Sequence, residues 1–123
     1  MTPKIPCLIA LLAAGSALAA GSTISTSSGD KHAFSATVSA GGVHEECVKL
    51  AKDESRRYEW SSNAAVDFNI HYHEGAEVTY PVKRDGMRTD GGTFTASKGT
   101  QDYCWMWTAR DKPVKLEGRI ESK

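Results

Sequence analysis

The run Tyr103-Cys104-Trp105-Met106-Trp107-Thr108 limits what this chain can become more than any other segment. Aromatic residues, a methionine and a cysteine stand side by side, bounded by polar residues. β-formers at this density read as a strand covered on both faces. Alternation sends Tyr103, Trp105 and Trp107 to one face and Cys104 and Met106 to the other. If both faces are covered, the tryptophans are core. If the tryptophan face is the outer one, it is an apolar patch that needs a ligand or a partner. Tyr103, Trp105 and Trp107 are therefore candidate ligand-binding residues as well as candidate core. With Trp60 they also admit a carbohydrate-stacking role.

What Cys104 can do depends on the amino terminus. Lys4 gives a short positive region, the stretch from Ile5 to Leu18 is apolar and uncharged, and Ala17-Leu18-Ala19 fits a small-x-small cleavage site. Residues 1–20 read as a signal peptide cleaved near Ala19-Ala20. The apolar run is shorter than the roughly 20 residues of a membrane span. Cys7 precedes the apolar core, whereas a lipid-modified cysteine would follow it. Cleavage removes Cys7 and leaves Cys47 and Cys104. In an oxidising compartment two cysteines form one disulfide. Its loop stabilises the fold by about 4 kcal/mol in the chain-entropy account. The rival is a thiol pair that binds metal or does redox chemistry, but no Cys-x-x-Cys spacing supports it.

About 100 residues then remain, one small domain. Residues 21–31 are Ser, Thr and Gly with few exceptions and read as a flexible leader, and 32–123 as the domain. No later segment is apolar enough to cross a membrane, so the mature chain is expected without a membrane span, periplasmic or secreted. Acidic and basic residues balance over the whole chain, and cleavage removes one basic residue, Lys4, and no acidic one. With charges interspersed and no basic stripe, nucleic acid is not an expected partner.

The domain shows period-two patterning in short runs. Phe34, Ala36 and Val38 alternate with small polar residues before a Gly41-Gly42 turn. Cys47 to Ala51 is a second run. Tyr58 and Trp60 share a face of a third, and Phe68, Ile70 and Tyr72 alternate against Asp67, Asn69, His71 and His73 in a fourth. Val78, Tyr80 and Val82 follow, then Phe94, the cysteine-tryptophan block, and Val114, Leu116 and Ile120. Asp85-Gly86, Asp90-Gly91-Gly92 and Asp111-Lys112-Pro113 supply turns. Only Lys49 to Arg57 has a composition that allows a helix, and its apolar positions do not sustain a stripe. Short strands with frequent turn signals predict an all-β chain, an antiparallel sandwich or barrel.

Few residues offer chemistry. His71 and His73 project from the same face of a strand and could hold Zn, Cu or Ni, with Glu74 or a neighbouring strand completing the site. The alternative is a solvent-facing polar stripe opposite an apolar one. Met106 reads as packing and Met87 as exposed. Asp67 and Glu74 could serve a small hydrolase as acid and base. No nucleophile elbow, phosphate loop or His-Glu-x-x-His occurs.

Together these elements resemble the GOLD domain, the lumenal β-sandwich of the emp24/p24 trafficking proteins. The likeness lies in Glu45-Glu46-Cys47-Val48, Val66-Asp67-Phe68-Asn69-Ile70, Gly92-Thr93-Phe94-Thr95-Ala96 and the Tyr103–Thr108 block. It covers most of Phe34 to Ile120. The resemblance implies a jelly-roll-type antiparallel β-sandwich in which Cys47 pairs with Cys104. It does not imply coat binding, because no coiled coil, membrane span or sorting tail follows the domain. The Ala-rich signal looks bacterial. The expected function is that of an exported, non-enzymatic module that binds a protein or a small ligand and needs no cofactor. A periplasmic metal-binding protein using His71 and His73 is the alternative, and a small hydrolase using Asp67 or Glu74 a further one.

Overall fold

The computed structural model describes residues 23–26 and 31–122, so the expected signal peptide lies outside the described residues. The strands are β1 (Thr23–Thr26), β2 (Lys31–Val38), β3 (Val43–Leu50), β4 (Ser55–Glu74), β5 (Glu77–Thr95), β6 (Gln101–Ala109) and β7 (Val114–Ser122). There is no helix among the described residues. The Lys49–Arg57 stretch closes β3, turns at Lys52-Asp53 and opens β4. Asp53 takes the left-handed backbone (φ 71°), which Asp tolerates better than most residues. Within the stretch read as a leader, Thr23–Thr26 is a strand paired in parallel with β3. Its Thr and Ile residues favour extended backbone.

The long strand β4 organises everything else. Its first half, Arg56–Ser62, pairs antiparallel with β7, and its second half, Val66–His71, pairs with β6 along the same edge. Its other edge carries β5 along almost its whole length. β7 continues to β2, and β6 continues to β3 and β1. The change of partner falls at Ser62-Asn63-Ala64-Ala65, where the register with β5 slips. Ser62 Oγ donates to the Ala64 carbonyl there, and Asn63 Oδ1 accepts the Lys115 amide at 2.9 Å. The ladder therefore opens into two layers, β2-β7-β4 and β1-β3-β6-β4, joined along the β4–β5 ribbon.

The two strands read around Tyr58-Trp60 and Phe68-Ile70-Tyr72 are thus one strand, and so are those around Tyr80 and Phe94. Asp85-Gly86 and Asp90-Gly91-Gly92 do not turn the chain. Gly86 (φ 69°) sits in a β-bulge, a place where a strand glycine is at home. The even positions of β4 from Tyr58 to Tyr72, Ser62 apart, face inward and meet Val48 and Leu50 of β3, Tyr103, Trp105 and Trp107 of β6, and Leu116 and Ile120 of β7. Gly118 lets the layers close: a Cβ there would lie 2.7 Å from the Glu59 carbonyl oxygen and 2.7 Å from the Phe34 ring. Cys47 and Cys104 stand opposite each other on β3 and β6 and form a disulfide. The bridge lies on the outer face of one layer, whereas the core is filled by the aromatic side chains.

Candidate functional site

The aromatic block is core. Tyr103 and Trp105 are 0% exposed and Trp107 1%, and Trp60 is buried with them. Trp107 packs on Phe34 and Phe68, and Trp105 meets Tyr58 and Phe94 edge-on. The expectation that Tyr103, Trp105 and Trp107 stack a ligand is therefore corrected, because the second layer covers the face they share. Met106 points the other way, toward the outer face, half-buried between Glu45 and Asn69. Met87, expected to be exposed, packs partly against the core.

A polar group that the sequence reading missed lies between the layers. Glu46 of β3 is 2% exposed, and its two carboxylate oxygens each take an imidazole: His44 Nε2 at 2.9 Å and His32 Nε2 at 2.9 Å. His32 belongs to β2 and His44 to β3, so the carboxylate ties one layer to the other. Phe34 packs against both imidazoles and Trp107. The signal was present in the sequence: His44 and Glu46 are in phase with Val48 and Leu50, so a charge fell on the apolar face.

On the outer face of β4 the residues read as a solvent-facing stripe differ in fate. Asp67 is held by Arg110, whose Nη2 donates at 2.7 Å and Nε at 3.1 Å, and by the Gly86 amide at 2.9 Å. The Arg110 hydrogen bonds hold its carboxyl below the usual carboxylate range, so it carries no proton to donate near neutral pH. Asn69 and His71 are buried, whereas His73 and Glu74 are exposed. His71 Nδ1 lies 2.8 Å from Asn69 Oδ1, and its Nε2 lies 3.4 Å from Glu45 Oε1. Burial lowers the proton affinity of His71, while Glu45 partly restores it. Glu74 pairs across the turn with Glu77 and stands at the far end of the strand from Asp67. The structure thus brings His71 near His73, with ring centroids 5.2 Å apart, but the carboxylate beside His71 is Glu45. Among the described residues, one group of three has ligand atoms mutually close enough for an ion: Glu45, Cys47 and Cys104. Its two sulfurs are joined to each other and do not offer thiolates.

Two further surfaces are open. Over β2, β7 and β4 run open grooves of about 640 and 590 Å³, floored by small and polar residues such as Ala33, Ser35, Ser61 and Glu117. The ionisable residues that line them are Glu59, Lys115, Glu117 and Arg119, of which Glu59 and Arg119 are bonded to each other at 2.9 Å. The β4–β5 hairpin, turning at Gly75 (φ 59°), carries the other. Val78 and Tyr80 are 38% and 48% exposed, the large hydrophobic residues left open among those described. They lie on β5, which pairs with β4 on one side and with no described strand on the other.

This architecture recurs in solved structures. The periplasmic inhibitor of g-type lysozyme PliG from Aeromonas hydrophila superposes with a TM-score of 0.60 at 10% identity, over 84% of this chain and 100% of that one. The pre-peptidase C-terminal domain of a Bacillus anthracis collagenase gives 0.59 at 10% identity, over 82% of this chain and 95% of that one. PliG from Salmonella Typhimurium gives 0.54 at 13% identity, over 84% of this chain and 98% of that one. At such identities the likeness is one of fold, a β-sandwich. No protein-family model matches the chain, so the GOLD resemblance gains no support of its own. No curated protein matches it in sequence. No helix among the described residues is long and apolar enough to cross a membrane.

Proposed function

We propose that this chain is an exported, non-enzymatic β-sandwich module that binds another protein through the β4–β5 hairpin. The observation that carries the reading is the pair Val78 and Tyr80, open to solvent on an edge strand. Exposed apolar side chains beside a free strand edge are a protein-recognition surface, since main-chain groups supply affinity and side chains select. Of the two residues that could have argued for catalysis, Asp67 is neutralised by Arg110, and Glu74 stands exposed at the far end of the strand from it.

Precedent supports the reading, since two structural neighbours are described as periplasmic lysozyme inhibitors, proteins that act on another protein. Export after cleavage near Ala19-Ala20, to the periplasm or medium, is part of the same proposal, and a disulfide suits that compartment. So is the GOLD-like relationship, whose quoted segments fall in β3, β4, β5 and β6.

The test is capture of partners from the native compartment by the wild-type protein and by a Val78→Ser, Tyr80→Ser double variant. Purified g-type lysozyme serves as a defined probe in parallel. We expect the wild type to retain a specific protein and the double variant to lose it, with the fold unchanged by circular dichroism. Equal capture by both proteins, or no specific capture by either, would overturn the proposal.

A further inference from the structure

Three of the described strands, β1, β2 and β5, pair on one side only. A free edge is a row of unpaired amides and carbonyls that can template another strand, and chains blunt such edges with brevity, proline, bulges or charge. β1 is blunted by brevity, at four residues. β5 is blunted by the other three devices. Pro81 has no amide to give a ladder, the register with β4 slips in three places, and Lys83, Arg84 and Arg88 stand along the strand. Its hairpin end, with Val78 and Tyr80, is the part that the protein-binding reading uses.

β2 carries none of these devices. From His32 to Val38 it reads His-Ala-Phe-Ser-Ala-Thr-Val, without proline, glycine, lysine, arginine or a carboxylate. Its residues pair with β7 in unbroken register from Lys31 to Val38, so no bulge twists the edge away. Alternation turns His32, Phe34, Ala36 and Val38 inward and Ala33, Ser35 and Thr37 outward. The outward residues are small, uncharged and exposed. Of the inward ones, His32, Phe34 and Ala36 are covered only in part, whereas Val114, Leu116 and Ile120 of the adjoining β7 are fully buried. The core is thus left half-open along this edge, and a strand laid beside β2 would cover it.

What fits there is set by the pattern of β2. An added antiparallel strand must keep inward residues inward, because a slip of one residue reverses every face. β2 meets this condition with itself. A twofold axis through Ser35, the midpoint of His32–Val38, uses the whole run. Ser35 then faces Ser35 of a second copy, Phe34 faces Ala36, Ala33 faces Thr37 and His32 faces Val38. Every pair joins residues of the same face, and no two like charges are opposed. On the inner side the Phe34 ring of each copy stands beside the methyl group of the other copy's Ala36, large against small.

We propose that the free edge of β2 pairs antiparallel with β2 of a second copy of this chain, about a twofold axis at Ser35. The β2-β7-β4 layers of the two copies then form one continuous sheet. The dimer goes beyond the protein-binding reading and does not rest on it, because β5 lies on the other side of β4 from β7 and β2.

The experiment is sedimentation equilibrium of the untagged, disulfide-intact protein over a wide range of concentration, with amide hydrogen exchange followed in β2. We expect a monomer–dimer equilibrium, and slower exchange at the β2 amides that β7 leaves unpaired as the dimer fills. Ser35→Lys sets two ammonium groups face to face across the axis and should weaken association at least about tenfold. Ser35→Thr should leave it unchanged. Ser35 is exposed in the single copy, so both variants should match the wild type by circular dichroism. The Val78→Ser, Tyr80→Ser double variant should dimerise like the wild type. The proposal is overturned if the protein stays monomeric throughout, if Ser35→Lys associates as the wild type does, or if the hairpin double variant abolishes the dimer. Protection of β2 that arises only with a captured foreign protein would make that protein the occupant and overturn it too. A monomer that still captures a protein through Val78 and Tyr80 would sink the dimer and leave the protein-binding reading standing.

Discussion

Tyr103 and Trp105 adjoin in sequence and share a core, yet they contribute differently. Trp105 fills the space between Tyr58 and Phe94 and is fully buried. Truncating a buried tryptophan leaves a large cavity and costs about 3–5 kcal/mol, a large share of the stability of a domain this size. Tyr103 packs its ring on Tyr72 and Phe94, and its buried hydroxyl, like the Trp105 indole N–H, finds no protein partner. Removing an unpartnered buried polar atom recovers its desolvation cost. We therefore expect Trp105→Ala to unfold at much lower urea than the wild type, and Tyr103→Phe to unfold within about 1 kcal/mol of it or later. At this scale the sequence was legible in kind: the density of the block marked it as special, and alternation assigned its faces correctly. It could not say which face was covered, because burial depends on what the rest of the chain lays over a strand.

The β4–β5 ribbon shows how an element takes its shape from breaks in its pattern. Glycines at 86, 91 and 92 looked like punctuation, and Gly86 proves to be a bulge within one 19-residue strand. Its amide and the Arg110 guanidinium share the Asp67 carboxylate, which fastens that bulge to the end of β6. Because the folded state holds the Asp67 carboxyl below its unfolded pKa, the fastening contributes fully above the unfolded value. It is lost as pH falls through the lower folded one. Asp67→Asn should thus lower the melting temperature by a few degrees at neutral pH, the modest effect of a solvent-screened pair. The difference from wild type should vanish in acid, and melting curves from pH 7 down to pH 2 would show it. A constant difference across that range would assign the effect to packing instead. A glycine pair reads the same in sequence whether it turns a chain or bulges a strand, because the choice is made by the partner strand.

Across the whole molecule the layers are joined by the aromatic core and by one charged group within it. Glu46 accepts from His44 in its own strand and from His32 in β2, so it senses whether the two layers are in place. Glu46→Ala leaves two imidazoles without their acceptor in a covered site, and we expect a loss of about 1–3 kcal/mol. Combining it with His32→Ala should cost less than the sum of the single changes, because the two share one interaction. Denaturant midpoints of the two single variants and the double variant measure that coupling; strict additivity would mean the layers are held by apolar packing alone.

Residue order alone was enough to establish an all-β chain and which side chains alternate together, and it pointed to Cys47 and Cys104 as the pair. These follow from local rules: strand periodicity, turn chemistry and the count of thiols. Tertiary structure decided what no local rule contains. It made one strand of two readings, because β4 changes partner midway. It turned Tyr103, Trp105 and Trp107 inward by laying a second layer over them. It set Glu45, from a strand more than twenty residues earlier, beside His71. Period-two patterning fixes which residues share a face, but only the order of strands in the sheet decides which faces meet.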